Sequence, residues 1–161
     1  TSHIDFFSRT ENLEDKVLTQ DIIYVGGGNT KSMLAVWKEW NLHEILRNAY
    51  EKGIVMSGVS AGAICWFDKG ITDSYAEELT IIDCLGIVEG IACPHFDEEK
   101  EREPYVNDVI NREIIKSCIC IEGNCALHVK NNIEYSSIDF GNGKKCFRVY
   151  KENKTLKKEI L

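Results

Sequence analysis

Apolar residues fall along this chain in two patterns, short unbroken runs closed by glycine or proline and longer stretches in which they recur every three or four positions. Asp21-Ile22-Ile23-Tyr24-Val25 is rich in β-branched and aromatic residues and runs into Gly26-Gly27-Gly28, which predicts a buried strand and a glycine turn. Asn29 or Thr30 then caps a helix whose apolar side holds Met33, Leu34, Val36, Trp37 and Trp40. It continues or restarts through Leu42, Ile45 and Leu46 and stops at Gly53. A strand over Ile54-Val55-Met56 enters Gly58-Val59-Ser60-Ala61-Gly62 and a helix-compatible Ala63 to Phe67. A turn-rich Gly70-Ile71-Thr72-Asp73-Ser74 follows, then a strand from Ile87-Val88 through Gly90 to Cys93, Pro94 and His95. Beyond the polar run Glu98 to Glu103, Pro104 suits the first turn of a helix through Val106, Val109, Ile110, Ile114 and Ile115. Four strand candidates close the chain: Ser117 to Ile121, Ala126 to Val129, Ile133 to Tyr135 and Cys146 to Val149, with Asn142-Gly143 as a hairpin-like turn between the last two. At the other end, Ser2 to Phe7 reads as a strand already under way, followed by a polar, acidic Arg9 to Asp15.

Strand and helix in alternation predict an α/β fold, a mostly parallel sheet with helices on both faces and an antiparallel edge near the carboxyl end. At 161 residues, with no linker or repeat, the expectation is a single domain over 1–161. A net charge of −7 without a concentrated basic face argues against nucleic acid as a partner. Lys151, Lys154, Lys157 and Lys158 alternate with Glu152 and Glu159 and read as a solvated surface. No run approaches the roughly 20 apolar residues of a membrane span, and no signal-peptide pattern opens the chain. Seven cysteines, an odd number, fit reduced thiols and a cytoplasmic location. Cys118-x-Cys120 with Cys125 has metal-like spacing, but Cys118-Ile119-Cys120-Ile121 alternates as a strand does, so these thiols are expected to be buried and no metal is expected.

The chemistry concentrates at Ser60. A strand that ends in G-x-S-x-G and turns directly into a helix is a nucleophile elbow: small neighbours allow the sharp turn, and the helix start aims N–H groups at the same point. The pattern arises by chance about one time in twenty in a chain this long, so its weight comes from the strand before it and the helix after it. A serine needs a base, and of four histidines only His95 follows an apolar strand into a loop, at the sheet edge where sites gather. His3, His43 and His128 read as surface or structural. For the orienting carboxylate Asp73 lies between Ser60 and His95, with Glu77, Glu78 and Asp97 as rivals that spacing does not separate. Ala61 offers one oxyanion donor, and the glycine turn is suited to provide a second; contiguous glycines fit neither nucleotide-binding signature.

Taken together, Val25-Gly26-Gly27-Gly28-Asn29-Thr30, Gly58-Val59-Ser60-Ala61-Gly62-Ala63, Thr72-Asp73-Ser74, Pro94-His95-Phe96 and Ile121-Glu122-Gly123-Asn124 resemble, in order, the motifs of the peptidase E family. These are cytoplasmic serine peptidases acting on dipeptides with an amino-terminal aspartate. The resemblance implies a class I glutamine amidotransferase-like fold with serine in place of cysteine. It implies Ser60 as nucleophile, His95 as base, Asp73 as orienting acid and Gly28 and Ala61 as oxyanion-hole donors. It places Arg102 on the substrate's aspartyl carboxylate, with Asn29 also binding substrate. It implies no cofactor, a small peptide as substrate, an acyl-enzyme intermediate, no nucleic-acid or membrane partner, and room for a homodimer. Family members begin with a further strand and helix, so a truncated, inactive binding homologue is one alternative and a cyanophycinase-like amide hydrolase another.

Overall fold

The computed structural model describes residues 1–8, 11–75 and 78–161. Its elements run α1 (Leu13–Leu18), β1 (Ile22–Val25), α2 (Thr30–Glu39), α3 (Leu42–Glu51), β2 (Val55–Gly58), α4 (Ala61–Ile64), β3 (Phe67–Tyr75), β4 (Glu78–Asp83), β5 (Val88–Cys93), α5 (Arg102–Asn111), β6 (Ser117–Ile121), β7 (Cys125–Lys130), β8 (Glu134–Asp139), β9 (Cys146–Glu152) and β10 (Thr155–Ile160). The fold is α/β, as the alternation predicts. The sheet is mixed, however, rather than mostly parallel. β3, β5 and β6 run parallel in a six-stranded sheet of order β10-β9-β6-β5-β3-β4, but β4, β9 and β10 join it antiparallel.

Two strands of this sheet come from segments read otherwise in the sequence. Gly70 to Ser74 is not a turn but the middle of the nine-residue β3, because Gly70 has no side chain and lets that of Ile64 close onto its backbone. The lysine-rich tail is an edge strand, β10, whose exposed charges fit an edge position. Among the described residues, two hairpin turns fall at Asn131-Asn132 and Asn153-Lys154, all with φ between 49° and 63°, the conformation that matches the twist of paired strands. Asn142-Gly143 instead wraps the carboxylate of Asp139, which accepts the N–H groups of Gly141, Asn142 and Gly143.

Alternation along the central strands divides the interior in two. On β6, Cys118 and Cys120 face a core built with Val106, Val109 and Ile110 of α5, while Ile119 faces the opposite core with Trp37, Leu42 and Leu46 of α2 and α3. Both faces of the sheet are therefore covered. β1 and β2 form a separate parallel pair, in register from Ile22 with Val55 to Val25 with Gly58. β1 is not the buried strand expected, since Ile22 and Tyr24 stay 61% and 68% exposed. The opening Ser2 to Phe7 is irregular, its chain turned where the Asp5 carboxylate accepts the Phe7 N–H. The second helix restarts rather than continues, with Asn41 at φ 55° between α2 and α3.

Candidate active site

β2 delivers the chain to Ser60 at φ 55° and ψ −117°, a conformation uncommon for any residue but glycine. Holding it there costs about 1–3 kcal/mol and requires over-determined surroundings. Those are supplied by two bare backbones. A Cβ on Gly58 would overlap the Gly62 carbonyl, and one on Gly62 would overlap the Val25 carbonyl, so β1, β2 and the head of α4 approach as only glycine permits. α4 is short and its Ala61, Gly62 and Ile64 are buried, which anchors the elbow in the core. The Ala61 N–H stands at the start of α4, where its own helix offers no acceptor. Of the glycine turn, Gly27 lies against the Ser60 side chain, while Gly28 adopts φ 148° and has open space around its Cα. The sequence reading singled out Gly28; contact with the serine belongs to its neighbour.

His95 arrives from β5 by way of Pro94 and also has a positive φ, 51°. That bend turns its imidazole back across the strand ends. Nε2 lies 2.9 Å from Ser60 Oγ, and Nδ1 lies 2.7 Å from Glu98 Oε2. With Glu98 ionised, the Nδ1 proton is donated to the carboxylate and Nε2 is left to accept from the serine hydroxyl. Glu98 comes into place because the Glu98 and Glu99 N–H groups both donate to the His95 carbonyl, closing the turn. Its carboxylate rests on Gly123, where a Cβ would collide with it.

The acid that meets His95 is thus Glu98, not Asp73. Asp73 lies exposed on β3 while its neighbours Thr72 and Ser74 dock on the start of α2: Thr72 Oγ1 is 3.3 Å from Thr30 Oγ1, and the Lys31 N–H donates to Ser74 Oγ. Among the rivals, Asp97 accepts the Gly123 N–H and pairs with Lys144, Glu78 opens β4, and Glu77 lies outside the described residues. In sequence Glu98 stands three residues after His95, a spacing that a turn can close, but nothing there distinguishes it from the other acids of the Asp97 to Glu103 run.

Two expected substrate contacts are committed elsewhere. Arg102 is 2% exposed; its Nε donates to Glu99 Oε2 at 2.6 Å and its Nη1 to the Ile71 carbonyl at 3.2 Å. Burial opposes its charge, but Glu99 and the nearby Cys93 outweigh that and hold its pKa above the ordinary arginine value. Asn29 caps α2, accepting the Ser32 N–H at 2.9 Å and donating to the Ser74 carbonyl at 3.1 Å. Cys118 and Cys120 are buried, as their strand alternation predicts. Among the described residues, no cluster of three His, Cys, Asp or Glu side chains could hold a metal ion, and no helix is long and apolar enough to cross a membrane.

Ser60, His95 and Glu98 open onto a groove of about 880 Å³ that runs along β2 on one side and β7 on the other. That is ample for a peptide, within the range of small-molecule sites.

The chain is similar to several known proteins. The chain is 42% identical over 149 residues to a protein named uncharacterized peptidase YgaJ, from Bacillus subtilis (strain 168), covering 92% of this chain and 64% of that one. It is 31% identical over 97 residues to uncharacterized peptidase Lin0382 of Listeria innocua, covering 55% and 46%. Its fold is similar to a crystal structure of a peptidase E-named protein from Listeria monocytogenes EGD-e, with a TM-score of 0.62 at 21% identity, over 82% of this chain and 67% of that one. The chain spans 64% of the length of YgaJ. The sequence model of peptidase family S51 matches residues 2–134, from the start of the chain through the glycine turn, the serine elbow and the histidine turn, and the chain belongs to that family.

Proposed function

We propose that this chain carries the active site of a serine peptidase in which Ser60 attacks the peptide carbonyl, His95 takes its proton and Glu98 orients and supports the imidazolium. The single observation behind this reading is the unbroken relay Ser60 Oγ to His95 Nε2 at 2.9 Å and His95 Nδ1 to Glu98 at 2.7 Å. The tetrahedral oxyanion would be met by the Ala61 N–H and by the glycine turn at Gly28. His95 then gives its proton to the leaving amine, an acyl-enzyme remains on Ser60, and water releases it by the reverse relay. For substrate we adopt the class that the peptidase E resemblance implies, dipeptides with an amino-terminal aspartate, cleaved in the cytoplasm. Arg102 has no part in this proposal, because its guanidinium is buried against Glu99.

The test is incubation of the purified chain, and of Ser60→Ala, with Asp-Leu and Ala-Leu while free leucine is followed. Cleavage of Asp-Leu in preference to Ala-Leu, reduced at least about a thousandfold in the variant, is the expected result. Equal cleavage of both dipeptides would keep the peptidase and remove the aspartate preference. Folded chain that releases leucine from neither dipeptide and does not react with a fluorophosphonate would make this a binding protein instead.

A further inference from the structure

Behind the site, two of the seven cysteines face each other. Cys125 opens β7 and Cys146 opens β9, and their sulfurs are 3.5 Å apart. Cys125 is half-buried and lines the groove, whereas Cys146 is fully buried. The chain that leads into β7 is already tied to the start of β9. Ile121 pairs with Cys146 in the sheet, the Glu122 N–H donates to the Lys145 carbonyl, and the Lys145 N–H donates to the Glu122 carboxylate at 2.9 Å. The Cys125 thiol donates back to the Glu122 carbonyl at 3.2 Å. A disulfide needs the sulfurs at about 2.05 Å, an approach of roughly 1.5 Å. Four of the other five thiols sit differently. Cys118 and Cys120 lie two apart on one strand, and they, Cys65 and Cys93 are buried away from the groove.

We propose that Cys125 and Cys146 form a modification site, a thiol pair that a small disulfide such as oxidised glutathione converts to an intramolecular disulfide. Cys125, the accessible member, loses its proton to solvent and its thiolate attacks one sulfur of the glutathione disulfide. That S–S bond breaks and the first glutathione thiolate leaves and is protonated. Cys146 then loses its proton and attacks the Cys125 sulfur of the mixed disulfide, expelling the second glutathione. Two protein thiols are oxidised by two electrons in all, and one glutathione disulfide is reduced to two thiols. Burial pushes both thiols up, Cys146 to about 12, so the thiolates are scarce at neutral pH and the reaction quickens as pH rises.

The pair adjoins the relay. Between Glu122 and Cys125 lies Gly123, the residue on which the Glu98 carboxylate rests. Drawing Cys125 toward Cys146 shifts that support, so on the peptidase reading above the disulfide slows acylation of Ser60.

The experiment treats the intact chain with oxidised glutathione at pH 8.5 under denaturant-free conditions and measures its mass and tryptic peptides. Expected is a loss of about 2 Da, with Ser117–Lys130 joined to Cys146–Arg148. This crosslink should be absent in both Cys125→Ser and Cys146→Ala. Because Cys118 and Cys120 share that first peptide, a crosslink that survives Cys125→Ser overturns the assignment. So does a chain that keeps its mass, or one that stops at the glutathione adduct of Cys125. The fluorophosphonate reaction is then timed in oxidised and reduced protein. A crosslink that forms without changing that rate keeps the thiol pair and removes its link to the site; a protein that never reacts with the reagent fails the peptidase reading alone.

Discussion

The turn from His95 to Arg102 holds two acid–base pairs of identical spacing with opposite fates. His95 and Glu98, three residues apart, open to the groove at 31% and 48% exposure; Glu99 and Arg102, also three apart, bury the arginine almost completely. Adjacent glutamates in one turn point to opposite sides of the chain, so a single run of acidic residues supplies both a proton relay and a brace for the core. Spacing sets that a pair can form. What decides its work is which side of the turn faces the sheet.

The comparison breaks most sharply at Glu98. Glu98→Gln keeps shape and loses the charge that fixes the Nδ1 proton, and the rate of Ser60 acylation by a fluorophosphonate should fall about a thousandfold with little change in melting temperature. Glu122, whose carboxylate accepts the Lys145 N–H, is the control. A large fall in Glu122→Gln, with Glu98→Gln near wild type, would transfer the orienting role.

Arg102 should behave the other way round. Arg102→Ala leaves Glu99 without its partner and a void beneath α5, at a cost of about 3 kcal/mol, the low end for a broken buried pair because Glu99 reaches solvent. For a chain of this size that lowers the melting temperature by roughly 6–12 °C. Arg102→Met, which fills the space without a charge, should recover part of the loss. Any preference for Asp-Leu over Ala-Leu should survive in the folded fraction. A variant that melts like wild type yet loses that preference would put the guanidinium back in the substrate site.

The same contrast explains what the sequence could and could not tell. The elbow was legible because its constraints are local: Gly58 and Gly62 lack a Cβ where backbones touch, and Ser60 needs a positive φ. His95 was legible from an apolar run that ends at Pro94. The acid was not, because Asp73 and Glu98 are equally polar in sequence and only the fold places one on β3 and the other on the imidazole. Arg102 misled for a related reason, since a charged residue in the run Glu98 to Glu103 reads as surface or site and burial there depends on Glu99 and the Ile71 carbonyl, 31 positions away. The extent of β3 was hidden likewise. Gly70 signals a turn until the side chain of Ile64 closes onto it.

The turn's third acid gives the smallest and most specific effect. Asp97 Oδ1 accepts the Gly123 N–H at 2.7 Å, and its other oxygen pairs with Lys144, tying the histidine turn to the loop that backs Glu98. Partial removal from water pushes its carboxyl up, but the Lys144 ammonium and the Gly123 N–H outweigh this and hold it below the ordinary value. The ionised form is therefore favoured by folding. Its stabilisation is present above the unfolded-state pKa, near 3.9, and is lost as pH falls through the lower folded value. Being partly exposed, the contact should contribute only about 0.2–1 kcal/mol. In urea titrations Asp97→Asn should unfold earlier than wild type at pH 7, and the gap should close as both approach pH 3. A gap that persists undiminished in acid would mean that Asp97 acts through the hydrogen bond from Gly123 and not through its charge, which would leave His95 with Glu98 as the one charge-dependent contact in the turn that opens onto the groove.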